Sequence, residues 1–352
     1  MPSEEPATLE APPAGMTEGL ARAAQDLLGR YQERVTSGLE RACALLPAEV
    51  AGPGRYHLGL DEGARPGKAL RPTLTMLIGE GLGADRRVAA HLATAVQLVH
   101  DFSLAHDDIV DEDRARRGQP ALWVRYGVPT ALNTGDALLT LAFQLLAARE
   151  LGPEVAQRAA AELGRATMEM VAGQQADISA TGVPFQGLSA YMRMVELKTG
   201  ALMGAATALG AIAAGAGPDT VSACEAFGRT LGIAFQLRDD ALGVFGDEVV
   251  TGKPVGNDLV RGKHGLPLLL ALSGNGDLGS AARSWLEPPG LGPNDLPAAV
   301  ALLREGGVAD RCQGLTTTWT EKAINAAARL PLQKEVAGEI EILCRWLGER
   351  AS

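Results

Sequence analysis

Long runs rich in alanine and leucine constrain this 352-residue chain more than any other feature of its sequence. Apolar residues make up 46% of the chain and aromatic residues 4%, and segments that alternate apolar and polar residues are few. Ala and Leu favour helix, and the Gly and Pro residues cluster between the runs rather than inside them. The pattern therefore predicts an all-α protein.

The breaks between these runs predict the order of the helices. Breaks are expected at Pro47, Gly52, Pro53 and Gly54, and residues 287–295 are expected to form a loop. The predicted helices span residues 16–46, 67–82, 86–111, 129–150, 153–180, 187–214, 218–245, 265–274, 296–305, 309–328 and 332–349. We expect residues 1–15 to form a disordered tail and residues 16–352 to form a single helical domain, a bundle around a central apolar cavity.

Charge and hydropathy argue against two classes of partner. The net charge of −10 argues against nucleic acid, which needs a basic surface, although carboxylates can hold a small anion through divalent metal ions. The uncharged run 199–218 is long enough to span a bilayer, but Gly, Ala and Thr dominate it and a proline ends it. We therefore expect this run to be a tightly packed helix inside the bundle, and we predict no transmembrane segment.

The cysteines and the first residues of the chain suggest a cytoplasmic protein. The four cysteines are scattered, with no CxxC pair, which predicts buried reduced thiols (Cys43, Cys224, Cys312 and Cys344). The first residues are acidic and rich in Pro and Ala, unlike a secretory signal.

The first chemically informative segment is an aspartate cluster at the end of a predicted helix. Asp107 and Asp111 are four residues apart, so they share a helix face, and Asp108 lies beside them. Carboxylates stacked in this way repel one another, and Mg²⁺ with its preference for oxygen ligands would remove the conflict. Arg116 and Arg117 follow shortly after, and arginine forks suit phosphate oxygens. The segment therefore predicts a metal-assisted diphosphate site.

A second aspartate pair, Asp239 and Asp240, ends another apolar helix more than a hundred residues later. Two such pairs on different helices can face each other across a cavity and hold metal ions between them. Further basic residues precede and follow it at Lys198, Lys253 and Lys263. Nearer the N-terminus, Lys68 and Arg71 are three residues apart, which predicts that they share one helical face.

Together these residues resemble the trans-isoprenyl diphosphate synthase (polyprenyl synthetase) family. The matching motifs are GKxxRP at 67–72, HxxxLxHDDxxDxxxxRRG at 100–118, GQxxD at 173–177, KTG at 198–200, FQxxDD at 235–240, GKPxxxD at 252–258 and GKxxxP at 262–267. They occur in order over about 200 residues, which is far more specific than one DDxxD.

The resemblance implies a fold, an activity and roles for individual residues. The fold is an antiparallel helix bundle of the isoprenoid synthase type, usually a homodimer, and the activity is condensation of isopentenyl diphosphate with an allylic prenyl diphosphate. It implies Mg²⁺, as three ions, on Asp107, Asp111 and Asp239, supported by Asp108 and Asp240. The residues implied to hold isopentenyl diphosphate are Lys68, Arg71, His100 and Arg117. Those implied to contact the allylic diphosphate are Arg116, Lys198, Thr199, Gln236, Lys253 and Lys263.

Two features of the sequence refine this resemblance. Phe102 lies five residues before Asp107, about one turn toward the expected cavity floor, which resembles synthases of the geranylgeranyl (C20) type, with C15 and C25 as neighbours. Gly243 stands where the family's second motif has its last aspartate, and glycine has no side chain to bind metal.

Two rival hypotheses remain open at this point. A terpene cyclase on the same bundle would also ionise a prenyl diphosphate, but it would not need the isopentenyl site at Lys68, Arg71, His100 and Arg117. A non-catalytic subunit of a heteromeric synthase would have no need of all three aspartates of the first cluster, although Gly243 is in its favour.

Overall fold

The computed structural model describes residues 14–61, 67–180, 187–246, 256–260, 262–263, 265–274, 276–287 and 290–349, and almost all of its regular structure is helical. The first helices are α1 (Ala14–Cys43), α2 (Ala48–His57), α3 (Leu70–Gly81), α4 (Arg86–Val110), α5 (Leu122–Tyr126), α6 (Val128–Leu146) and α7 (Pro153–Ala180). The later helices are α8 (Leu188–Val195), α9 (Ala201–Ala213), α10 (Pro218–Phe245), α11 (Asn257–Val260), α12 (Leu266–Leu272), α13 (Asp277–Ser284), α14 (Leu296–Glu305), α15 (Val308–Ala327) and α16 (Lys334–Glu349). The predicted all-α class is confirmed.

Helix α9 is the centre of the bundle. Every residue from Ala201 to Ala213 is buried, and α3, α4, α7 and α10 pack around it. Gly210 allows the close approach of α3, since a Cβ atom there would lie 2.5 Å from the carbonyl oxygen of Thr75. The uncharged run that could be mistaken for a membrane span thus contains a fully buried helix of the bundle. None of the described helices combines the length and the apolar composition needed to cross a membrane.

The core has two main parts. The larger cluster joins α1, α3, α4, α6, α7, α9, the N-terminal half of α10, the end of α15 and α16. The second joins α8 and the C-terminal half of α10 to α12, α14 and the start of α15. All four cysteines are buried free thiols, and burial raises the pKa of Cys43 to about 11. The predicted reduced, buried cysteines are confirmed.

The predicted break is found at Pro47, between α1 and α2, but the prediction is wrong for Gly52, Pro53 and Gly54, which lie inside helix α2. The N–H groups of Val50 and Ala51 both donate to the carbonyl of Pro47, and the helix continues through Pro53. Tyr56 and His57, near the end of α2, are buried against the hairpin and α4. This tertiary packing outweighs the local preference of proline and glycine for a turn.

The segment after α4 forms a β-hairpin that the sequence pattern did not predict. Its strands are β1 (Ala115–Arg116) and β2 (Gln119–Pro120), which pair antiparallel. The two-residue turn Arg117-Gly118 has φ values of 54° and 78°, and positive φ at both positions is typical of type I′ hairpin turns. The loop predicted from residue 287 to 295 is found between α13 and α14, apart from two residues outside the described part.

Two predictions concern residues that the structure does not describe. The predicted tail 1–15 lies outside the described residues except for its last two, which already belong to α1. Lys253, predicted to contact the allylic diphosphate, also lies outside them.

Candidate active site

The C-terminal end of α4 presents the first aspartate cluster. Asp107 and Asp111 follow one another by one helical turn, and both are half-buried. Burial, opposed by the charge of Lys198 and assisted by the neighbouring carboxylate of Asp111, raises the pKa of Asp107 to about 6. Negative charge at this end of α4 is therefore only partly compensated, which suits a cation.

Two more aspartates on α4 are held by consecutive arginines of the hairpin. Arg116 donates from Nε and Nη2 to the carboxylate of Asp108, whose side chain is fully buried. Arg117 donates from Nη2 to Asp101 Oδ1 at 3.0 Å, seven residues earlier on the same helix face. The hairpin therefore lies along two turns of α4, and the geometry directs Asp108 toward Arg116 rather than toward Asp107 or Asp111.

A cavity of about 120 Å³ lies between the start of α3, the middle of α4, the hairpin turn and α16. Its lining includes Lys68, Arg71, Gln97, His100, Arg117 and Trp346. Three cations from two distant segments of the sequence thus converge on one small space. Lys68 Nζ lies 5.5 Å from the ring centroid of Trp346, on the last helix. Lys68, Arg71, His100 and Arg117 were predicted from the sequence to share one site, whereas Gln97 and the contribution of α16 were not.

Lys68 lies outside helix α3, contrary to the prediction of a shared helical face with Arg71. Helix α3 begins at Leu70, and the residue before it, Ala69, has a φ of 50°. This left-handed residue reverses the chain so that Lys68 still lines the same cavity as Arg71. The spacing of residues along a helix predicts which side chains share a face. Here, Lys68 and Arg71 meet at the cavity because of the turn that precedes α3.

Arg71 and His100 form a contact at the base of the cavity. Burial lowers the pKa of Arg71 to about 10, and burial with Arg71 and Arg117 lowers the pKa of His100 well below its usual range. Since His100 is neutral, Arg71 Nη1 donates to its Nε2 at 3.3 Å, which leaves the imidazole proton on Nδ1. Arg71 Nε is buried with no hydrogen-bond partner among the described residues. An unsatisfied buried donor beside a cavity is the arrangement expected for an anionic ligand.

Lys198 lies in a π-helical turn (Glu196–Gly200) between α8 and α9, and α7 supports it. Its Nζ lies 2.5 Å from Asp177 Oδ2, and the Asp177 and Asp107 charges raise the pKa of Lys198 against the opposing effect of burial. Gly173 allows this contact, because a Cβ atom there would lie 2.2 Å from the backbone nitrogen of Lys198. The GQxxD motif therefore has a physical explanation, with Gly173 for close approach and Asp177 for the ion pair.

In the second aspartate pair, Asp240 is held by contacts from several parts of the chain. The carboxylate of Asp240 accepts from Tyr191 Oη at 2.8 Å, from Gln236 Nε2 at 2.8 Å and from the Leu266 N–H at 3.0 Å. Gln236 in turn accepts from Thr199 Oγ1 at 2.7 Å. Asp240 is therefore fixed as a structural link between α8, α10 and the start of α12. Its predicted role in supporting Mg²⁺ beside Asp239 stays a prediction.

Comparison with known proteins gives the family. The polyprenyl synthetase family model matches residues 60–299. The chain belongs to the polyprenyl synthetase family. Two relatives are found in Mycobacterium tuberculosis (strain ATCC 25618 / H37Rv). A (2E,6E)-farnesyl diphosphate synthase is 34% identical over 349 residues, which cover 96% of this chain and 97% of the relative. A geranylgeranyl diphosphate synthase is 36% identical over 330 residues, which cover 91% of this chain and 93% of the relative. The crystal structure of a polyprenyl synthetase from Streptomyces coelicolor A3(2) has a TM-score of 0.83 and 33% identity, covering 92% of this chain and 98% of that one.

This prenyltransferase belongs to a family that uses Mg²⁺ in catalysis, and its residues fit that ion. Asp107, Asp111 and Asp239 offer oxygen ligands, and Lys263 Nζ lies 2.8 Å from Asp111 Oδ1. Within the described ranges, no three His, Cys, Asp or Glu side chains converge as a ready-made metal site. Mg²⁺ commonly combines one or two carboxylates with water and substrate phosphates, so a site of this kind suits an ion that arrives with a diphosphate.

Three residues that support the candidate site of this polyprenyl synthetase were not predicted from the sequence. Asp177, Tyr191 and Asp101 each hold a side chain or a turn of the site through a contact between distant parts of the chain. Asp177 could have been found, because it is the last residue of the GQxxD motif. Asp101 is a charged residue on the apolar side of a predicted helix, and that signal was available in the sequence.

Proposed function

We propose that this protein is a short-chain trans-prenyl diphosphate synthase that condenses isopentenyl diphosphate with an allylic diphosphate. The observation that supports it most directly is the cationic cavity beside the aspartate end of α4. His100 lines the cavity and Asp107 lies seven residues later, about 10 Å along the same helix. Two anionic groups can therefore be held side by side, one by cations alone and one by carboxylates through metal ions.

The cavity suits the diphosphate of the isopentenyl substrate. Lys68, Arg71 and Arg117 supply the charge, and Arg71 Nε supplies a buried donor that needs an acceptor. A terpene cyclase would have no use for this cavity. A non-catalytic subunit would have no use for it either, nor for the aspartate cluster at Asp107 and Asp111.

The allylic diphosphate is assigned to the aspartate end of α4 and the facing end of α10. Asp107, Asp111 and Asp239 would hold Mg²⁺, which we propose as three ions, and Lys198 with Lys263 would contact phosphate oxygens. When bound, the metal ions neutralise the diphosphate as it departs. Lys198 and the π-turn stabilise the same negative charge from the other side.

The residues of the chain then determine where the reactive carbons lie. Thr199 donates its hydroxyl proton to Gln236, so its oxygen lone pairs are available to an allylic cation nearby. The isopentenyl double bond attacks this cation as the allylic C–O bond is lost, and the isopentenyl-derived cation that results releases a proton to the departed diphosphate. Closure of the site against water is needed because the cation would otherwise be hydrolysed.

Product length is proposed to be C20, with Phe102 at the floor. Phe102 is buried in the main core of the bundle, one turn before Asp107, and its ring packs edge-on against His106 at 4.9 Å between centroids. His106 is held against α6 by the carbonyl of Leu132 at 3.2 Å, which fits a structural role. The mycobacterial relatives are named as C15 and C20 synthases, which supports a short product.

The assembly is proposed to be a homodimer formed through α6 and α7. The largest exposed apolar side chains on these neighbouring helices are Val128, Leu132, Met168, Val171 and Ile178. Positions 168, 171 and 178 follow one helix face, so they form a stripe that a second copy of the chain can cover. Buried free thiols also support the proposed cytoplasmic location.

One assay tests the proposed activity against its rivals. The protein is incubated with Mg²⁺, isopentenyl diphosphate and each of three allylic primers, and products are identified by mass. A prenyl diphosphate one or more five-carbon units longer than the primer supports the proposal. A hydrocarbon formed from geranylgeranyl diphosphate alone would show a cyclase, and no product with any primer would favour a non-catalytic subunit.

A further inference from the structure

Asp101 is a buried carboxylate beside a site that binds an anion. It is 1% exposed, and it accepts from Arg117 Nη2 at 3.0 Å and from Gln97 Nε2 at 2.6 Å. Its backbone carbonyl oxygen lies 2.7 Å from His57 Nε2, and Arg117 Nη1 donates in turn to the His57 carbonyl at 3.4 Å. Arg117, Asp101 and His57 therefore form a closed set of contacts between the hairpin, α4 and α2.

The charge of Asp101 would by itself weaken the binding of an anion in the cavity. A negative charge one side chain away from Lys68, Arg71 and Arg117 cancels part of their attraction for phosphate oxygens. Burial of an ionised carboxylate is also costly unless it is paired and hydrogen-bonded. The loss of anion affinity and the cost of burying Asp101 must therefore be offset by another effect. The contacts of Asp101 indicate what that effect is.

That effect is the orientation of Arg117. An arginine side chain has many rotamers, and fixing one of them costs conformational entropy. Asp101 and the His57 carbonyl use two of its five N–H groups and leave three for a ligand. The guanidinium also packs against the chain at Gly67, where an added Cβ atom would lie 2.8 Å from Nη2. These contacts fix the side-chain conformation of Arg117 before any ligand binds.

We infer that Asp101 is a positioning residue for the isopentenyl diphosphate site, which aims the Arg117 fork into the cavity. The inference rests on the proposed function, since it takes the cavity to hold the diphosphate of that substrate. It assigns Asp101 no contact with the substrate. Its effect on affinity passes through Arg117 alone.

The test measures the dissociation constant of isopentenyl diphosphate by calorimetry for the full-length protein and its variants. Asp101→Asn keeps the shape and removes the charge, and Asp101→Glu keeps the charge and displaces the carboxylate. We expect each to weaken binding by about tenfold, the effect of losing one charge-assisted hydrogen bond. Asp26→Asn, an exposed residue of α1, removes the same charge elsewhere and is expected to change nothing.

A double-mutant cycle with Arg117→Ala separates positioning from general stability. If Asp101 acts through Arg117, then Asp101→Asn weakens binding in the wild-type background and has no further effect in Arg117→Ala. Additive losses would overturn the inference, and so would tighter binding by Asp101→Asn, the result expected if only its charge mattered. A lowered melting temperature with an unchanged dissociation constant would also overturn it, because that is a purely structural role.

The same experiment keeps this inference apart from the proposed function. The wild-type protein is assayed for chain elongation in parallel, and failure there is a failure of the proposed function. The calorimetry is repeated with inorganic diphosphate, which probes the cavity whatever the organic part of the natural ligand. If the double-mutant cycle shows no coupling between Asp101 and Arg117 with either ligand, the positioning role is overturned even when the protein is an active synthase.

Discussion

Two histidines, His57 and His100, are buried as neutral side chains close to Arg71 and Arg117. Burial lowers the pKa of both below the ordinary value of about 6.5. The unfolded chain therefore takes up protons near pH 6.5, while the folded protein does so only at lower pH. By linkage, the stability that depends on these neutral histidines is present above pH 6.5 and is lost as the pH falls below it.

We expect His57→Gln to reduce this pH dependence. Gln can still donate to the carbonyl of Asp101, but it does not titrate. Between pH 7 and pH 5.5 the wild-type free energy of unfolding should fall by about 1 kcal/mol more than that of the variant, since each titrating group contributes up to ~1.4 kcal/mol per pH unit. Urea unfolding at both pH values measures the difference, and parallel curves for the two proteins would contradict the prediction.

Phe102 is the residue on which the proposed product length depends. Phe102→Ala should open space at the cavity floor and shift the product from C20 toward C25 and longer, with the rate of the first condensation little changed. Mass analysis of products measures the shift. Phe143→Ala, a partly buried phenylalanine of α6 in the same core, is the control and should lower stability without changing the product. Unchanged product length in Phe102→Ala would remove Phe102 from the floor.

At the scale of elements, the site is built at irregular backbone rather than at regular helix. In the described part of the chain, the non-glycine residues with positive φ are Ala69, Glu112 and Arg117. Ala69 and Arg117 line the cationic cavity, and Glu112 directly follows the first aspartate cluster. Each left-handed residue costs roughly 1 kcal/mol, so surrounding packing must hold it in place. The π-turn with Lys198 is also irregular backbone. Such turns are rare in proteins, and those that occur are often at functional sites.

Gly173→Ala should disrupt that turn. The added Cβ atom would lie 2.2 Å from the nitrogen and 2.6 Å from the Cα of Lys198, so α7 must move away from the turn. We expect a loss of about 2 kcal/mol in stability from overpacking and at least a tenfold fall in kcat as Lys198 loses its position. Denaturant unfolding and steady-state kinetics with the allylic substrate measure the two effects.

Gly164→Ala is the matched control on the same helix. A Cβ atom there would meet only the Phe143 ring, at 3.8 Å, which is an ordinary contact. Replacing glycine by alanine inside a helix should then raise stability by about 0.5–1 kcal/mol and leave kcat unchanged. Wild-type kcat in Gly173→Ala, with only its stability lowered, would show that the close approach serves the fold and not the position of Lys198.

At the scale of the whole molecule, the outer faces of α6 and α7 are the proposed dimer interface. Met168 is 71% exposed and Val171 is 48% exposed, on a helix whose inner face supports Lys198. Apolar side chains in a row on a helix surface are more typical of an interface than of a solvated face.

We expect the double variant Met168→Glu/Val171→Glu to be monomeric. Two charged side chains in an apolar interface would be buried without partners, which should raise the dimer dissociation constant by at least a hundredfold. Analytical ultracentrifugation measures the mass. Leu45→Glu, also at an exposed apolar residue but in the turn between α1 and α2, is the control and should sediment as the wild type does. A wild-type monomer, or a dimeric double variant, would refute the interface.

The elements that could be predicted are those whose signal is local. Ala- and Leu-rich runs predict helices such as α4, α7 and α10 within a few residues, and the spacing of Asp107 and Asp111 predicts their shared face. Helix α2 and the hairpin could not be predicted in this way. Pro53 argues against a helix at α2, and the two-residue strands of the hairpin are too short to show the alternation of apolar and polar residues that predicts a strand.

The sequence by itself determined the helical class, the two aspartate clusters, the basic residues and the order of the family motifs, because each depends on residue type and local spacing. Only the tertiary structure decided the pairing of these groups. Asp108 contacts Arg116, Asp101 contacts Arg117 and Lys198 contacts Asp177 because a hairpin, a close glycine approach and a π-turn bring distant segments together. Side-chain partners are set by long-range packing, and no periodicity within one segment encodes them.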